Sequence, residues 1–205
     1  MFYFVQSFDW SVLHGIRNAI ACPALDFLMP KITALGNGGA IWIAAGIALL
    51  FFKKYRRYGI ALLLALCCGA LVGNVCLKPL VGRARPCWLE DVPLLIAMPR
   101  DYSFPSGHTG CAACAMLAIL LPTVCKRLRG KERLCLIVGA VWTAVVAFSR
   151  LMMGAHFLTD VTAATAITLG IAWLGIWLCY FNGKFFRLVW GLVSEPASNN
   201  KNSET

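Results

Sequence analysis

The chain has 205 residues, 60% of them hydrophobic, and a mean hydropathy of +0.72, which excludes a disordered chain and speaks against a water-soluble globule. Only 14% are charged, yet Lys and Arg outnumber Asp and Glu by 19 to 9, for a net charge of +10. Scarce, one-sided charge on so apolar a chain points to a membrane with basic loops along one leaflet, and away from nucleic acid.

In chain order, Met1 to Lys31 is interrupted by Asp9, His14, Arg17, Pro23, Asp26, Pro30 and Lys31. That pattern predicts one or two amphipathic helices at the interface. The segment lacks a basic start and carries Asp9 within its apolar stretch, so it does not resemble a cleaved signal, and the mature protein is expected to be the whole chain. Five charge-free runs follow: Ile32 to Phe52, Tyr58 to Leu77, Thr109 to Cys125, Leu134 to Ser149 and Val161 to Gly183. A span needs roughly 20 apolar residues. The expectation is therefore an all-α, polytopic membrane helix bundle with about five transmembrane helices plus N-terminal interfacial helices. Its parts are an N-terminal segment 1–31, a membrane domain 32–193 and a disordered polar tail 194–205. Most of the cysteines within the apolar runs (Cys67, Cys68, Cys76, Cys111, Cys114, Cys135, Cys179) read as small buried hydrophobes.

Orientation follows the basic loops, which stay cytoplasmic. Lys53, Lys54, Arg56 and Arg57 follow the first run. Lys126, Arg127, Arg129, Lys131 and Arg133 follow the third, and Lys184, Arg187 and Lys201 the fifth. The opposite, outer face holds Leu77 to His108 and Arg150 to Asp160, where Lys78, Arg83, Arg85, Arg100 and Arg150 occur against the rule. An anionic ligand gives a reason for keeping them, since guanidinium forks bind phosphate oxygens in pairs.

Ser106, Gly107 and His108 fall where the third span begins, and a helix start offers free N–H groups to an anion. His156 and Asp160 lie four apart at the start of the last span, on one helical face, so the carboxylate can orient the imidazole. Two histidines suggest divided labour: His156 attacks phosphorus and His108 protonates the leaving oxygen. No metal and no cofactor is required. His108, Cys111 and Cys114 recur every three residues, but they drift around a helix and lack a fourth ligand, which argues against a metal site. For Arg83, Arg100 and His14 a structural or anchoring role is the simpler reading. Trp88, Leu94, Leu95, Met98 and Phe104 either line a tail entrance or rest on the bilayer. Gly69 and Gly73 form a small-residue pair suited to close helix packing.

Lys78-x6-Arg85-Pro86, Pro105-Ser106-Gly107-His108 and Ser149-Arg150-x5-His156-x3-Asp160 together resemble the three-part signature of the type 2 phosphatidic acid phosphatase (PAP2) family, which also includes vanadium haloperoxidases. The resemblance implies a helical bundle and hydrolysis of a phosphomonoester or diphosphate through a phosphohistidine on His156. It implies Asp160 as the orienting carboxylate, His108 as the acid, and Lys78, Arg85, Ser106, Gly107 and Arg150 as the phosphate cradle. Family members commonly show six spans, and this chain offers five clear ones. Small size and an outward site resemble the bacterial undecaprenyl-diphosphate phosphatase branch, so that lipid ranks first as substrate, ahead of phosphatidylglycerol phosphate and phosphatidic acid. The expected partners are the lipid phosphate and membrane lipids; the oligomeric state is not legible. A non-hydrolytic lipid-phosphate carrier and a vanadate-dependent haloperoxidase are the readings from other classes.

Overall fold

The computed structural model describes residues 2–123 and 131–181. The expected polar tail, the basic residues Lys126, Arg127 and Arg129, and Lys184, Arg187 and Lys201 lie outside them. Every regular element among the described residues is helical. In order these are α1 (Phe2–Ile20), α2 (Pro23–Ala34), α3 (Ala40–Leu50), α4 (Arg56–Gly69), α5 (Lys78–Val81), α6 (Pro86–Leu89), α7 (Gly107–Thr123), α8 (Lys131–Met152) and α9 (Leu158–Phe181). A π-helical stretch, Ala70–Leu77, joins α4 to α5 without a break. Pro23–Leu50, Arg56–Leu89 and Arg133–Met152 are long and apolar enough to cross a membrane, with Leu158–Ile171 a shorter apolar helix.

The first expected span needs correction. Ile32 to Phe52 is not one helix, because the chain breaks between α2 and α3, where Gly38 and Gly39 take left-handed φ values of 61° and 69°. Charge counting sees no interruption there, since glycine breaks a helix by backbone freedom and not by polarity. Alone, the 11 residues of α3 rise only about 16 Å, so α2 must supply the remaining length. That helix begins at Pro23, whose fixed φ suits a first-turn position.

Helix α7 is the hub, packing against α4, α8 and α9. Its buried residues include Thr109, Ala112, Ala113 and Cys114, small enough for close approach on more than one side. A Cβ on Gly69 would lie 3.3 Å from Cys114 Sγ, so the Gly69 position does serve helix packing. Helices α3 and α4 cross still more tightly: a Cβ on Gly59 would lie 2.6 Å from the Gly46 carbonyl oxygen.

The reading of the cysteines is also corrected. Cys114 is buried and Cys111 half-buried, whereas Cys67, Cys68, Cys76 and Cys135 are exposed on helix surfaces. In a membrane, hydrocarbon covers such faces, so apolar side chains need no protein cover.

Candidate active site

The site is assembled from helix ends and the connectors between them. Ser106 immediately precedes α7, and its Oγ meets Thr109 Oγ1 at 3.1 Å and accepts from the Thr109 backbone N–H at 3.5 Å. That is the geometry of an N-cap. Gly107 and His108 line the cavity that holds the candidate site, and Ser106 does not.

His156 lies in the short connector between α8 and α9, turned by Gly154 at φ 62°. Arg85 Nη1 donates to its Nε2 at 2.9 Å. A guanidinium only donates, so Nε2 carries the lone pair and the ring proton sits on Nδ1. Nδ1 in turn faces Asp160 Oδ2 at 3.6 Å and Ser103 Oγ at 3.4 Å. Burial, reinforced by Arg85 and Arg150, lowers the His156 pKa to about 3 despite Asp160.

The two residues do not share a helical face, because α9 starts at Leu158, two residues after His156. Asp160 instead sits in the first turn of α9 and reaches back, its Oδ2 accepting from the Phe157 backbone N–H at 2.9 Å and from Ser103 Oγ at 2.5 Å. The reach-back half of a capping box thus brings the carboxylate to the imidazole.

A cavity of about 400 Å³ gathers Lys78, Arg85, His108, Arg150 and His156 with Gly107. Arg150 is only 3% exposed, yet its Nε finds no partner among the described residues, while Nη1 donates to Thr33 Oγ1 at 3.2 Å. Arg150 lines the cavity, and a guanidinium there can hydrogen-bond an anion. His108 meets Asn37 Oδ1 through Nε2 at 2.9 Å. Burial, followed by Arg150, Arg85 and Lys78, lowers its pKa to about 4.

Several contributors were not singled out from the sequence. Asp101 bridges Lys78 and Arg85, accepting from Lys78 Nζ and, at 2.7 Å, from Arg85 Nη2. Burial alone would raise its pKa, but the two cations outweigh that and bring it down to about 2. Ser103, Asn37 and Thr33 support His156, His108 and Arg150 respectively. Arg83 donates to Asp160 Oδ1 at 2.7 Å and is thus tied to the site without lining its cavity. Arg100 is exposed, and His14 pairs with Glu90 at 3.2 Å. Of the expected tail-entrance residues, Leu95 packs against the buried Met29, Met152 and Met153 cluster, while Trp88 Nε1 donates to the Pro99 carbonyl at 3.1 Å. His108, Cys111 and Cys114 do not converge: Cys114 Sγ bonds the Ala65 carbonyl at 3.3 Å in the core.

Fold and cavity together define a helical membrane protein with a cationic, two-histidine pocket formed at the helix ends. The chain belongs to the PAP2 superfamily, whose family model matches residues 54–184. It is 29% identical over 160 residues to the undecaprenyl-diphosphatase of Sulfolobus acidocaldarius, covering 78% of this chain and 72% of that one. It is 30% identical over 148 residues to phosphatidylglycerophosphatase B of Bacillus subtilis, covering 71% of this chain and 64% of the relative's length. The crystal structure of the transmembrane PAP2-type phosphatidylglycerolphosphate phosphatase from Bacillus subtilis matches with a TM-score of 0.68 at 28% identity, over 88% of this chain and 87% of that one.

Proposed function

We propose that the chain is an integral membrane phosphatase that hydrolyses a lipid phosphate or diphosphate through a phosphohistidine on His156, without a metal, at the extracytoplasmic face of the cell membrane. The observation that carries this reading is the state of His156: its Nε2 lone pair is held unprotonated by Arg85 in the same cavity as His108 and an underbonded Arg150.

In the proposed reaction the phosphoryl oxygens take the donors of Lys78, Arg85 and Arg150, and Arg85 releases Nε2. The Nε2 lone pair then attacks phosphorus while the bond to the leaving oxygen breaks. The Nδ1 proton stays on the ring, facing Asp160, which stabilises the positive charge that develops. His108 gives its proton to the leaving oxygen. Burial and the cations disfavour that proton in the empty cavity, and a bound phosphate dianion favours it. Water next attacks phosphorus and the N–P bond breaks. His108 takes the water's proton, which returns His156 to its starting state and releases inorganic phosphate. Fixed cations stabilise the equatorial oxygens throughout, which is the role a metal would otherwise fill.

The orientation rests on the rod beginning at α4. Arg56 and Arg57 lie at its start, with Lys53 and Lys54 just ahead, and Lys78 is roughly 30 Å further on, so the basic turn and the site occupy opposite ends. Undecaprenyl diphosphate ranks first because of the named relative from Sulfolobus. Phosphatidylglycerol phosphate is the second reading, favoured by the Bacillus structure that aligns over most of the chain.

The test uses purified protein in detergent with a chelator and a panel of undecaprenyl diphosphate, phosphatidylglycerol phosphate and phosphatidic acid. Phosphate release is expected from wild type and not from His156→Ala. Undiminished release by that variant removes the mechanism, a strict need for a divalent ion removes the metal-free scheme, and binding without release favours a carrier.

A further inference from the structure

Helix α1 precedes the region matched by the family model, yet it reaches the candidate site. Asp9 on α1 is fully buried, a costly position for a carboxylate inside an apolar bundle unless it is paired. It is paired completely. Asp9 Oδ1 accepts from the Thr159 backbone N–H at 3.0 Å, and Oδ2 accepts from Thr159 Oγ1 at 2.5 Å and from Arg83 Nη2 at 2.6 Å. The other arm of the same guanidinium, Nη1, donates to Asp160 Oδ1 at 2.7 Å and to Thr159 Oγ1 at 2.6 Å. One arginine is therefore forked between a carboxylate of α1 and the carboxylate beside His156.

The rest of the guanidinium is fixed as well. Gln6, one turn before Asp9 on α1, accepts from Arg83 Nη2 at 3.0 Å. Arg83 Cζ lies 4.3 Å from the ring centroid of Phe157, the residue after His156. With Oδ1 held by Arg83, Asp160 Oδ2 is left to Ser103, the Phe157 N–H and the imidazole.

We propose that Asp9 is a positioning residue of this site, holding Arg83 so that the Asp160 carboxylate stays aimed at His156. Neither Asp9 nor Arg83 lines the cavity, so neither touches the phosphate. Both act through Asp160. Loss of the Asp9 carboxylate leaves the Nη2 arm of Arg83 to neutral Gln6 alone, so the guanidinium can shift and carry Asp160 with it. Misplacement of a reacting group by about 1 Å costs up to about a hundredfold in rate.

The inference rests on the phosphohistidine reading, and the experiment separates the two. Phosphate release is measured for wild type, His156→Ala, Asp9→Asn, Arg83→Lys and the Asp9→Asn/Arg83→Lys double variant. Each rate is divided by the number of sites that bind inorganic phosphate in a calorimetric titration, so a loss of folded protein cancels. Asp9→Asn and Arg83→Lys are each expected to lose about ten- to a hundredfold in kcat per site with KM within about twofold. The double variant should be no slower than the slower single, because both break one connection. Should Asp9→Asn yield no binding sites, Thr159→Val carries the test, since it removes the hydroxyl that joins Asp9 Oδ2 to Arg83 Nη1 and leaves all three charges; a smaller loss in kcat per site at constant KM is then expected. Wild-type kcat per site in the folded Asp9 or Thr159 variant overturns the proposal, as do losses that multiply in the double variant. Activity retained by His156→Ala overturns the phosphohistidine reading, and this inference with it.

Discussion

The two histidines line one cavity under different constraints. The His156 wall is closed: the ring is 1% exposed, and Arg85, Ser103 and Asp160 face its two nitrogens, with Arg83 and Asp9 behind them. The His108 ring, by contrast, has one hydrogen bond among the described residues, to Asn37, at a break between two helices. The contrast suits the roles proposed for them. A nucleophile needs one tautomer and one direction of attack. A group that gives a proton to the departing oxygen and later takes one from water gains from a looser hold.

The strongest way to break the contrast is to remove the closed wall's ring. His156→Ala should reduce phosphate release to the background rate on every substrate, whatever its leaving group. His108→Ala should be selective in kcat/KM, which reports transfer to His156 and not the later attack by water: a loss of about 10² to 10⁴ on a lipid phosphate, whose leaving oxygen needs a proton, and a much smaller loss on an aryl phosphate, whose leaving group departs as the anion. Equal losses on both substrates would contradict the assignment of the acid. Asn37→Ala should cost less, since one hydrogen bond is worth about 0.5 to 1.5 kcal/mol, or about two- to tenfold in rate. Its effect should vanish in a His108→Ala background.

The mildest effect concerns stability. His156 is held at about 3 in the fold against an ordinary 6.5. As pH falls between those values the unfolded chain takes up a proton that the native site refuses, so this residue destabilises the fold progressively in acid. His156→Gln lacks that penalty, and its melting temperature should fall less steeply than that of wild type over the same range. Parallel acid slopes would show that the native ring is not held neutral.

The parts legible in the sequence are those where function sits at helix starts or breaks the orientation rule. His108 beside Ser106 and Gly107 and the pairing of His156 with Asp160 follow from spacing, and the orientation rule flags Lys78, Arg85 and Arg150 together with Arg83 and Arg100; the family resemblance is what narrows those five cations to three. The reason for that pairing does not, because a reach-back contact at a helix start and a shared helical face give the same four-residue interval. Asp101 and Ser103 lie in an irregular loop with no periodicity to place them. Arg83 and Asp9 are 74 positions apart, and only the packing of α1 beside α9 joins them. One signal was available: a lone acid within an otherwise apolar stretch needs a buried partner. The break between α2 and α3 stayed hidden because hydropathy counts polarity and not φ.

The central claim is that phosphorus is transferred to His156 before it reaches water, and the stereochemical course at phosphorus tests this directly. A lipid thiophosphate made chiral with oxygen isotopes, hydrolysed in isotopically labelled water, should give thiophosphate with retained configuration, since two in-line displacements each invert it. Net inversion would mean that water attacks the substrate in a single step, and the phosphohistidine account would be wrong.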